Sequence, residues 1–189
     1  MCLYITGVLP RGVDRVAIEP ILIEHRLAFS PLGNQFVQAQ LRPDESYVRA
    51  TSSFCDCATP IGSGPRGPSE SQEAAHDARR VEELRKKGWG AAKIERWLDQ
   101  QARTRRRDVR VRRVRDADEA TTLDRWRLGI EALSLQAKRV GLLLHWYQGG
   151  LDSERIRIAR REEVPIAALT VERLRGIDED VLYLFFAAR

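Results

Sequence analysis

Cys55 and Cys57, flanking Asp56, are the residues whose types and spacing point most directly to chemistry. In an extended segment alternate side chains share a face, so the two sulfurs project one way and the Asp56 carboxylate the other. Two thiols on one face form a ligand pair. Cys2 offers a third thiol, and His25, His76 or His145 a nitrogen, which together make a tetrahedral three-cysteine, one-histidine zinc set. The expected metal ligands are Cys2, Cys55, Cys57 and His145, with zinc as the cofactor. Two other readings compete: reduced, partly buried structural cysteines, and a thiol-dependent enzyme using Cys2 or the Cys55/Cys57 pair. Thiol catalysis wants cations or a helix N-terminus beside the sulfur, and the neighbour here is an acid. Loss of Met1 would give Cys2 a free α-amine as general base, but no glutamine-binding or oxyanion pattern accompanies it. No triad pattern surrounds the three histidines. The glycines of 62–67 lack a phosphate-binding lysine and a helix opening directly from them. No catalytic residue is therefore assigned.

The second candidate is a charge run. Residues 79–115 carry 15 Lys or Arg against 5 Asp or Glu, a local +10, which leaves −5 for the rest of a chain whose net charge is +5. Arg103, Arg105, Arg106, Arg107, Arg110, Arg112 and Arg113 are dense enough to displace counterions from a phosphate backbone, and Trp97 offers a stacking ring. An acidic protein surface satisfies the same residues. The bland reading is a solvated helical face partly answered by Glu82, Glu83, Glu95, Asp99 and Asp108. A helix-turn-helix does not fit, because Asp99-Gln100-Gln101 lacks the turn glycine and the following arginines leave too few apolar anchors.

The elements that must carry these groups follow from patterning. The chain has 189 residues, 43% of them hydrophobic, enough for one domain with a real core. No apolar run approaches the roughly 20 residues of a membrane span. The N-terminus shows no signal-peptide pattern, so a reducing, cytoplasmic location is expected. Residues 3–9, apolar on both alternations, predict a central strand. Asp14 predicts an N-cap for a helix kinked by Pro20. Gln35 to Leu41 and Ser46 to Thr51 predict a hairpin about Pro43-Asp44. Residues 60–69 predict a flexible loop. Glu70 to Lys87 and Ala91 to Arg107 predict two helices about Gly88-Trp89-Gly90.

The stripes Leu123, Ile130, Ala137, Leu144 and Trp126, Leu133, Val140, Tyr147 predict one long helix over 122–147, with Leu128, Leu135 and Leu142 on its opposite face. Strands over Glu154 to Arg160 and Val181 to Phe186, with a short helix or turn at Thr170 to Ile177, close the chain. The expectation is a single α+β domain, 1–189. It has a small mixed or antiparallel sheet, helices on one face, and a basic helical insertion, 70–120, after the Cys-x-Cys segment. The functional expectation is a non-enzymatic binding or regulatory protein whose insertion engages nucleic acid or an acidic protein, with structural zinc at the cysteines and no membrane association. A homodimer through the long helix is the third reading.

Overall fold

A computed structural model describes residues 2–64 and 80–187, with every side chain among them except those of 101, 102 and 104–116. The chain divides into two units, Met1–Gly64 with Glu119–Arg189, and Pro65–Asp118. The fold is α+β, as the sequence predicts. In the first unit six strands form one mixed sheet in the order β2-β3-β1-β4-β6-β5. They are β1 (Cys2–Pro10), β2 (Ser30–Pro31), β3 (Glu45–Arg49), β4 (Arg139–Tyr147), β5 (Arg160–Pro165) and β6 (Val181–Phe186). Only β5 and β6 pair in parallel. The two central strands, β1 and β4, are apolar on both alternations because both faces of the sheet are covered. Glycine lets them approach: a Cβ on Gly7 would lie 2.2 Å from the Gly141 carbonyl oxygen.

One face carries Leu3, Ile5, Leu9, Val140, Leu142 and Leu144 and is covered by three helices. The first is α1 (Arg15–Glu24), whose N-cap Asp14 accepts from the Val16 and Ala17 amides. Its Pro20 sits in the second turn. The second is the C-terminal part of α4 (Ala91–Ala137), which contributes Leu123, Trp126, Ile130 and Leu133. Gly129 admits the end of α1, since a Cβ there would come within 2.9 Å of His25 Cβ. The third is α5 (Val171–Arg175), capped by Thr170 and anchored by Leu174. The other face holds Val8, Tyr47, Leu143, Tyr147, Leu182 and Leu184 with Val37 of the short α2 (Gln35–Gln38). There the Tyr47 and Tyr147 hydroxyls meet at 2.8 Å. Burial pushes both phenols above their ordinary range.

The sheet curls so that non-neighbouring strands meet. Glu45 of β3 is buried, yet its carboxylate receives Arg161 of β5 at 2.5 Å, Arg139 of β4 at 3.4 Å and the Arg42 amide at 2.9 Å. A buried carboxylate persists only with such a full set of donors.

Local patterning misplaced three elements. Residues 35–38 are helical, not the first arm of a hairpin, because Asn34 caps the Phe36 and Val37 amides and presents Val37 to the core. β3 pairs instead with β1 and β2. The helix expected over 122–147 ends at Ala137, where Lys138 takes a left-handed φ of 67°. The rest of that apolar run, Arg139–Tyr147, is the central strand β4. The closing strand begins at Arg160, not Glu154. The outward stripe of the long helix is thereby split: Leu128 and Leu135 are exposed on α4, and Leu142 is buried in β4.

In the second unit residues 80–86 form a helix, α3. It ends at Gly88, φ 78°, with Trp89 N–H donating to Leu84 O and Gly88 N–H to Arg85 O, a Schellman closure. Leu84 and Ile94 are buried across this turn, and the Lys93 ammonium lies 4.0 Å from the centre of the Trp89 ring. α4 runs without a break through the region where Ala91 to Arg107 was expected as a separate helix.

Candidate metal centre

The first half of β1 lacks a strand partner on its β3 side, since β3 pairs only from Thr6 onward. Its backbone donors and acceptors are taken up by the segment that follows β3. Ala50 N–H donates to Ile5 O and Asp56 N–H to Leu3 O, at 3.0 and 2.8 Å. Ile5 N–H donates to Asp56 Oδ2 at 2.8 Å, and Leu3 N–H to Cys57 Sγ at 3.3 Å. Buried backbone groups must be paired, and here a side chain and a sulfur complete the ladder. Thr51 and Ser53 donate to the same Asp56 carboxylate at 2.9 and 2.6 Å. Asp56, 6% exposed, is thus the pin holding the Cys-x-Cys segment against β1.

That pinning brings three sulfurs together. The Sγ atoms of Cys2, Cys55 and Cys57 all lie within 4.8 Å of one another, close enough to hold a metal ion. Thiolates on a tetrahedral zinc stand about 3.8 Å apart, given a Zn–S bond of about 2.3 Å. Cys2 and Cys55 are half-buried and Cys57 is exposed. All three are free thiols. The segment is not the extended strand that alternation assumes: 57–58 form a turn, Thr59 N–H donating to the Asp56 carbonyl at 2.8 Å, and the Asp56 carboxylate and Cys57 Sγ both accept from β1 amides. The Arg49 guanidinium donates to the Ser53 carbonyl and lies 5.2 Å from the Tyr4 ring, which puts a cation on the same segment.

His145 belongs to a second group. Its Nδ1 is 2.6 Å from Asp180 and 3.6 Å from Glu179, and its Nε2 is 3.4 Å from Glu154. The carboxylates are themselves engaged: Glu179 accepts from the Trp146 amide, Glu154 from the Gln148 and Gly149 amides. Partial burial works to raise the Glu154 carboxyl, but the Gly149 amide, His145 and the Gln148 amide outweigh it and hold it below the usual carboxylate range. This arrangement clasps the end of β4 to the turn at 149–154 and to the loop before β6. His25 lies at the C-terminus of α1 against Gly129, and His76 lies outside the described residues. Among the described residues the sulfur group stops at three donors.

Of the basic candidates, Arg103 is exposed and Trp97 half-buried on α4. The backbone at Arg105, Arg106, Arg107, Arg110, Arg112 and Arg113 is helical, and their side chains lie outside the described residues. The residues missed from the sequence are Asp56 as anchor and Glu154, Glu179 and Asp180 around His145. The Thr51-Ser52-Ser53 run before Asp56 was a local signal for side-chain turn bonds. Nothing local marks the carboxylates of His145, which come from 9 to 35 residues away. No described helix is long and apolar enough to cross a membrane. Compared with protein families, curated proteins and solved structures, the chain finds no match in any of the three.

Proposed function

We propose that this is a non-enzymatic metal-binding protein of a reducing, cytoplasmic compartment. Cys2, Cys55 and Cys57 hold one zinc ion, and the arginine-rich stretch of α4 engages a nucleic acid or an acidic protein. The observation that carries the metal reading is the convergence of three sulfurs from two segments more than 50 residues apart, 54 between Leu3 and Cys57. The thiols are pre-positioned by Asp56, so little ordering entropy opposes binding. Zinc would tie the 51–59 segment to β1 beyond what Asp56 achieves. Elemental analysis of protein purified under reducing conditions should give one zinc per chain, lost in Cys55→Ser and Cys57→Ser. Metal-free protein with three freely reactive thiols, unable to take up added zinc, overturns the reading. The charge asymmetry supports the second half. Binding of a short DNA or RNA duplex should fall steeply with salt. Arg105→Gln, Arg106→Gln and Arg107→Gln together should flatten the log–log slope by up to about three. Absence of binding to either duplex and to an acidic polypeptide at low salt removes that half.

A further inference from the structure

We infer that a zinc ion at the three sulfurs keeps its fourth position open to solvent and takes a small-molecule thiolate there. This rests on the zinc reading above. Zinc asks for four ligands, and three protein ligands with one open position is the pattern of exchangeable sites. Three features leave that position open among the described residues. No histidine or carboxylate joins the sulfur group. The nearest acid in sequence, Asp56, spends its carboxylate on Ile5, Thr51 and Ser53. Both nitrogens of His145 face carboxylates of their own cluster.

The side that remains is the solvent side, where Cys57 is exposed and neighbouring Phe54 is 89% exposed. Three thiolates on a divalent ion leave a centre of charge −1 whose soft donor set matches a further sulfur ligand. The exchange balances simply. A water ligand leaves, the thiol sulfur bonds to zinc, and the thiol proton passes to solvent.

The test is zinc X-ray absorption on the full-length zinc-loaded protein, first without added thiol and then with millimolar 2-mercaptoethanol. The expected result is three sulfurs and one oxygen at first, becoming four sulfurs with the thiol and one proton released per zinc. Four sulfurs before thiol is added would mean that a second chain supplies the ligand, and would overturn the inference. A light atom that the thiol cannot displace would also overturn it, and its loss in His76→Ala or His25→Ala would identify the protein ligand. In both cases zinc is bound and the metal reading stands; failure to bind zinc at all is the separate result that removes it.

Discussion

Replacing Asp56 with alanine tests the central structural claim, that one carboxylate holds the thiol segment on β1. The wild-type group accepts from Ile5 N–H at 2.8 Å, Thr51 Oγ1 at 2.9 Å and Ser53 Oγ at 2.6 Å, while 6% exposed. Hydrogen bonds to a charged acceptor contribute about 1.5 kcal/mol or more each, and alanine also strands the Ile5 donor. Against this stands the relief of no longer desolvating a carboxylate, which cancels part of the gain. The net expectation is a loss of about 3 kcal/mol, a large share of the roughly 5–15 kcal/mol typical of a domain. Urea unfolding of the metal-free, reduced protein measures it, with an unchanged slope if the denatured state is unaffected. Asp56→Asn keeps one acceptor oxygen and should lose about half as much. Amide exchange supplies the local readout, because the amides of Ile5 and of position 56 should lose protection in the alanine variant while β4 and β6 keep theirs. Zinc binding should weaken at least tenfold, since the ion must then order the segment itself. A stability loss under about 0.5 kcal/mol with protection at Ile5 intact would refute the reasoning.

The other expectations concern the frame around the site. Glu45→Gln leaves Arg161 and Arg139 facing an uncharged buried group, and should cost about 3 kcal/mol in urea unfolding, as expected when one member of a buried ion pair is removed. A near-neutral result would mean that the curled sheet is held without this charge. Glu154 titrates below its unfolded value, so its contribution is complete above the ordinary carboxylate range and lost as pH falls through it. The stability difference between wild type and Glu154→Gln should therefore shrink as pH falls below about 4.5. A difference that stays unchanged as pH falls through the carboxylate range would contradict the clasp.

The sequence alone determined those elements whose signals are local. Asp14 and Thr170 cap the helices they precede, and β1 and β6 read as strands from their apolar alternation. Asn34 was an equally local cap, but the alternating residues after it looked more like a hairpin arm. The spacing of Cys55 and Cys57 marked the two thiols as a pair, but the segment turns at 57–58, and its bonds to β1 place the sulfurs. The boundary between α4 and β4 was not legible. The seven-residue stripes continue unbroken from Leu123 to Tyr147, and the break occurs at Lys138, whose left-handed backbone no residue type announces. A run apolar on every face suits a buried helix and a central strand alike, and only pairing with β1 and β6 selects the strand. The same long-range pairing decided the site. Cys2 reaches the other thiols because the segment after β3 completes the β1 ladder through Asp56, and His145 turns instead to Glu154, Glu179 and Asp180 because β4 and the loop before β6 meet there. Spacing along the chain encodes which side chains share a face; hydrogen bonding between distant segments decides which faces meet.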